Sequence, residues 1–215
     1  IDFGSTKIRL GVFNKNLSNQ KFILEEECHN DFNNQYFETE KTEKLIQNMI
    51  YKAEKNFDKH LTSIFLMLDS KDLLSLDISV KKNTGNNKNL NEEIEYLIKD
   101  SKNLIEKNNK SKKNIHIIVN KIIIDDKEYF DLPENILDFK SIILDLKFIL
   151  IPSILLNKIT KMFKNIQLSI SNFFCSTYVR SFNYSQSFEN FEYKFFLDIG
   201  LKKSCLSIYK SKNLI

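Results

Sequence analysis

Two short strings in this 215-residue chain combine groups suited to a polyphosphate: Asp2-Phe3-Gly4-Ser5-Thr6-Lys7 near one end and Asp198-Ile199-Gly200 near the other. A strand that ends in Asp-x-Gly and returns as a hairpin can hold phosphate in a defined way. Glycine lets the backbone come close, turn amides donate to the phosphate oxygens, and the Ser5 and Thr6 hydroxyls add donors. Lys7 brings positive charge, and the strand-end carboxylates Asp2 and Asp198 are placed to hold Mg²⁺ through water. The expected phosphate contacts are therefore Gly4, Ser5, Thr6, Lys7 and Gly200, with Asp2 and Asp198 as metal ligands. One such string alone is weak evidence and reads first as an ordinary tight turn. Its recurrence after a second apolar strand points to a paired site.

The second string is degraded. It continues Leu201-Lys202-Lys203-Ser204-Cys205, and the Cβ of Leu201 disfavours the positive φ open to glycine. Close approach to a phosphate is expected to suffer there. Lys202 and Lys203 either compensate as point charges or face solvent.

The elements that must position these loops are legible from periodicity. Residues 8–13 form a strand, Asn14-Lys15-Asn16 a turn, and Phe22 begins the hairpin partner. A helix over 38–57, capped by Thr39, shows Leu45, Ile46, Met49, Ile50, Ala53 and Phe57 on one face. An apolar strand follows at 64–68. Beyond it lie a strand at 73–80, a polar loop over 81–90, and a helix capped by Asn91. Strands at 114–124 and 144–150 come next, with 129–139 continuing the first as a hairpin. Pro152-Ser153 opens a helix with Ile154, Leu155, Ile159, Met162 and Phe163 as its apolar face. A strand at 166–170, a helix at 172–182, a buried strand at 193–197 and its return at 205–209 complete the chain. The order is that of an α/β protein, divided as a first lobe over 1–69, an inserted part over 70–151, a return over 152–190 and the start of a second lobe over 191–215.

Composition narrows the function classes. Charged residues make up 28% of the chain and the net charge is +4, but acids and bases alternate, as in Glu40-Lys41-Thr42-Glu43-Lys44. That mixed pattern argues against a nucleic-acid footprint. Lys, Asn, Ile and Phe are abundant, Ala occurs once, and Arg occurs only at Arg9 and Arg180. The bias fits a genome low in G+C. Cys28, Cys175 and Cys205 show no paired spacing, which fits a reduced cytoplasmic protein. His29, His60 and His116 lack ligand spacing. The apolar stretch 142–156 is too short and too charged to span a bilayer. The chain begins inside an apolar strand without Met, so a preceding segment is expected.

With these residues in place, the chain resembles FtsA, the cell-division family of the actin superfamily. That family's first loop reads Asp-Ile-Gly-Ser/Thr-Ser-Lys-Ile/Val, and this chain has Asp2-Phe3-Gly4-Ser5-Thr6-Lys7-Ile8. The stretch from Ser63 to Lys71 is similar to the family's strand leading into its inserted subdomain, and Ile124-Asp125 matches the end of its Pro-x-x-Tyr-x-Ile-Asp segment. The second loop departs from Asp-Ile-Gly-Gly-Gly-Thr-x-Asp, and Asp131-Leu132-Pro133-Glu134-Asn135 stands where the family has an Asn-Pro-Val-Gly-type segment.

The resemblance implies an actin-like (ribonuclease H-like) lobe with a small inserted α+β subdomain. It also implies ATP with Mg²⁺ as a structural cofactor, with little or no turnover. The expected partners are FtsZ and further copies of the chain, with no nucleic acid. Attachment to the inner face of the cell membrane would run through a C-terminal helix beyond this chain. Two alternatives stay open: a pilus-assembly platform protein of actin-like fold, or an ATP-dependent enzyme of the sugar kinase or Hsp70 superfold. The degraded second loop argues against the enzyme, because phosphoryl transfer needs both loops.

Overall fold

The computed structural model describes residues 1–13, 21–28, 39–84, 89–134, 136, 138–188, 190–201 and 203–215. The chain divides into two compact units. The first contains Ile1–Asp72, Ser153–Arg180 and Asp198–Cys205; the second contains Leu73–Pro152, Ser181–Leu197 and Leu206–Ile215.

Unit one is built on a five-stranded sheet of β1 (Asp2–Phe3), β2 (Lys7–Phe13), β3 (Lys21–Glu27), β4 (Ser63–Leu68) and β9 (Ser169–Cys175), in the order β3-β2-β1-β4-β9. β1 pairs antiparallel with β2 and parallel with β4, which pairs parallel with β9. The hairpin β2-β3 keeps Lys7 opposite Glu27 and Arg9 opposite Glu25. Helices α1 (Thr39–Phe57) and α3 (Ser153–Asn165) supply the crossovers that parallel pairing requires. The apolar stripe of α1 buries Ile46, Met49, Ile50 and Ala53, and α3 buries Leu156, Ile159, Met162 and Phe163. The Phe163 ring meets that of Phe3 edge-on, centroids 6.3 Å apart, so the strand that enters the first loop is anchored by α3, a helix far along the chain.

Unit two holds a four-stranded antiparallel sheet in the order β5-β8-β6-β7: β5 (Leu74–Asn83), β6 (Lys112–Ile124), β7 (Lys127–Tyr129) and β8 (Ser141–Pro152). Ile142, Leu144, Leu146, Phe148 and Leu150 of β8 form the core with Leu90, Ile94, Leu97 and Ile105 of α2 (Leu90–Asn108). The body of α4 (Ser176–Ser187) and most of a small sheet of β10 (Tyr193–Ile199), β11 (Ser204–Lys210) and β12 (Asn213–Leu214) also fall in this unit.

Several sequence expectations change. The cap of α2 is Asn89, whose side chain accepts from the Asn91 amide, and Leu90 is buried at the helix start rather than solvated. The hairpin after β6 is short, because Asp125 and Asp126 both take positive φ (44° and 68°) and turn the chain at once. A two-residue turn with both φ positive matches the twist of its strands. In α3, Ile154 is exposed and Leu156 takes its place in the core. Residues 172–175 are strand, because they pair in parallel with β4, and the helix starts only at Ser176. Gln167, at φ 62°, closes the turn before that strand. β10 is not a buried strand here: Phe195, Leu197 and Ile199 are exposed. Ile122 and Ile124, at the end of β6, are buried in the α2 core. The turn at 14–16, the Thr39 side chain, His29, Asn135 and Lys202 lie outside the described residues.

His116 on β6 gives this unit a pH dependence. Burial pushes its imidazole from 6.5 down to about 4. The fold holds the ring neutral while the unfolded chain protonates it readily, so this contribution is complete above pH 6.5 and is lost as pH falls toward 4. Water reaches part of the ring, so the loss at pH 5 is expected to be about 1 kcal/mol, or about 2–4 °C in melting temperature. Melting curves of the parent and His116→Leu at pH 7 and pH 5 check this: the variant should lose less stability on acidification.

Candidate functional site

The two Asp-x-Gly strings close as the same turn. The Gly4 amide donates to the Lys7 carbonyl at 3.0 Å, and the Gly200 amide donates to the Lys203 carbonyl at 2.9 Å. The shared pattern is therefore Asp-x-Gly-x-x-Lys, one residue type longer than the echo visible at first reading. A Cβ on Gly4 would lie 2.7 Å from the Lys7 carbonyl oxygen, and one on Gly200 would lie 2.8 Å from that of Lys203. Neither glycine has positive φ. These positions require glycine for close packing of the turn on itself, not for a left-handed backbone. Leu201 also keeps negative φ, so the strain expected from its Cβ does not arise. The glycine amides are spent within the turns, which leaves less backbone to offer a phosphate than the sequence implied.

Both turns line one cavity of about 220 Å³, all of whose residues belong to unit one. Asp2, Gly4, Ser5, Thr6, Lys7, Asp198 and Gly200 all face it. Asp2 and Asp198 thus share a cavity, although their strands belong to different sheets. Lys203, one of the two lysines weighed as point charges, lines the cavity, and the structure adds residues that sequence reasoning passed over: Arg9, Asp69, Lys71, Ser176, Thr177 and Arg180. The only two arginines of the chain are both here. Their rarity among so many lysines was the available signal, because a planar guanidinium fork does what a lysine ammonium cannot.

The polar groups are extensively paired. Asp2 accepts from the Ser176 hydroxyl at 2.9 Å and from Arg9 Nη1 at 3.5 Å. Asp198 pairs with Arg180 Nη2 at 3.3 Å. The Lys7 ammonium bonds Glu25, as does Arg9 Nε at 2.7 Å. Hydrogen bonds from Lys7 and then Arg9 hold the Glu25 carboxyl below its usual range. Lys7, expected to meet phosphate, is therefore already shared with an acid on β3. Asp69, at the end of β4, accepts from the Thr177 amide at 3.2 Å and hydroxyl at 2.6 Å and so caps α4 from another element. Burial, reinforced by Asp69, pushes the adjacent Cys175 thiol up to about 12, which keeps it inert.

The donor set does not fit a divalent metal held by Asp2 and Asp198. Each carboxylate is engaged by an arginine. The set does fit an anion. Five cations (Lys7, Arg9, Lys71, Arg180 and Lys203) line the cavity against three lining carboxylates, with Glu25 bonded to Lys7 and Arg9 as a fourth. Its volume is below the about 300–1,000 Å³ of a typical small-molecule pocket, which suits a phosphate chain better than a whole nucleotide.

No protein-family model matches the chain, and no curated protein matches it. Among solved structures, a chain of a "PilM-PilN type IV pilus biogenesis complex" superposes with a TM-score of 0.65 at 8% identity. The match covers 100% of this chain and 58% of that one, so this chain spans little more than half its neighbour's length. At that identity the likeness is one of fold, and it supports an actin-like fold for this mixed α/β chain.

Proposed function

We propose that this chain is the phosphate-holding part of an actin-like assembly platform, in which a bound nucleotide sets conformation and is turned over slowly or not at all. The observation that carries this reading is the convergence of two Asp-x-Gly-x-x-Lys turns on one cationic cavity. The strand order β3-β2-β1-β4-β9 supports a ribonuclease H-like lobe, with 70–151 as its inserted subdomain. ATP is the proposed ligand, its phosphates meeting Ser5, Thr6 and the cavity arginines. A PilN-type protein is the proposed partner, in keeping with the structural likeness. The comparisons offer no support for FtsZ, so the pilus-platform alternative takes precedence over the cell-division reading. No helix among the described residues is long and apolar enough to cross a membrane, and membrane association would run through the partner. The test is co-elution of the full-length protein with the PilN-type protein and, separately, with FtsZ from the same cell. A stable complex with the first and none with the second is expected. Binding to FtsZ alone would restore the cell-division reading.

A further inference from the structure

We infer that the unit-one cavity binds phosphate groups without a divalent metal, its two arginines standing where a metal would neutralise the charge. The inference rests on the phosphate reading above and adds the way the charge is met. A metal held by Asp2 and Asp198 needs both carboxylates turned to the ion, directly or through water. Here Asp2 is held by the Ser176 hydroxyl and the Arg9 guanidinium, and Asp198 is held by Arg180. A metal entering between them would have to displace two ion pairs, Arg9–Asp2 and Arg180–Asp198, and then sit against two guanidinium groups of its own sign.

An anion meets the opposite situation. Arg180 projects from α4 one turn after Ser176, where its Nε also donates to the Ser176 carbonyl at 3.4 Å. Its side chain therefore lies back along the helix start, beside the second turn. A phosphate oxygen can replace the Asp198 carboxylate on Arg180 by exchange of one anion for another. A guanidinium offers two parallel donors to phosphate as it does to carboxylate. Asp198 then acts as an internal stand-in for the ligand, occupying the arginine until phosphate arrives. The chain's bias toward lysine makes the placement of its only arginines at this cavity the more telling.

The experiment is calorimetric titration of the full-length protein with ATP and with inorganic pyrophosphate, each in excess Mg²⁺ and in EDTA. Affinity in EDTA is expected to equal or exceed that in Mg²⁺. Asp198→Asn, which releases Arg180 and removes a competing anion, is expected to bind severalfold more tightly. Arg180→Ala is expected to weaken binding by about tenfold or more, as loss of a charged hydrogen bond would. Binding that needs Mg²⁺, or that Asp198→Asn abolishes, overturns the metal-free site while leaving the phosphate reading intact. No binding of either ligand under any condition overturns both. Circular dichroism melts of both variants show whether the fold is retained, and the charge-conserving Arg180→Lys tests the fork: partial recovery supports it, and full recovery overturns the need for a guanidinium.

Discussion

Phe148→Ala should destabilise unit two by about 3–5 kcal/mol, the range for emptying a buried aromatic site. Phe148 is fully buried in the central strand β8, opposite Leu76 of β5 and Ile117 of β6, and under the apolar face of α2. A central strand cannot collapse into the void without breaking the ladder on one side or the other, so little of the cost is recovered by relaxation. Hydrogen exchange followed by mass spectrometry reads the effect by segment. Protection should fall in β5, β6, β8 and α2 together, because they share one core. Protection in β2 and β4, which belong to the other unit, should change little. Loss of protection across both units to the same degree would show that they unfold as one body.

Asp69→Ala should cost about 2–4 kcal/mol, through orphaned donors rather than a cavity. The substitution leaves the Thr177 amide, the Thr177 hydroxyl and the Cys175 thiol without the carboxylate they share. It also removes a negative charge from the start of α4, where the helix dipole favours one. The first two turns of α4 carry Ser176 and Arg180, so the substitution should disturb the cavity as well as the fold. Asp69→Asn keeps one acceptor oxygen and should recover part of the loss. Thermal melts of the three proteins check the order parent, Asn, Ala. An alanine variant as stable as the parent would mean that water replaces the cap at no cost.

The glycine turns, the amphipathic faces of α1 and α2 and the alternation along β8 could be read directly, because each is a local pattern with a period of its own. Ile46, Met49, Ile50 and Ala53 lie one helical turn apart, and Ile142, Leu144 and Leu146 alternate with half-buried positions along β8, although from Leu146 to Ile151 both faces of the strand are buried. The hairpin ladder β2-β3 followed from its proximity in sequence. Places where a distant segment decides the local state were not legible. Residues 172–175 have a pattern open to helix, and only parallel pairing with β4, more than a hundred residues earlier, makes them strand. The cap of α4 comes from Asp69, on a different element, so no capping residue next to the helix could reveal it. The same holds for the charges at the cavity. Asp2 and Asp198 could be named as loop acids from their neighbours in sequence. That Arg9 and Arg180 would occupy those carboxylates depends on how β1, β2, α4 and the second turn come together. Side-chain pairing across a fold is a tertiary property: its geometry is set by the packing of elements, and one chain's residue order carries it only through that packing.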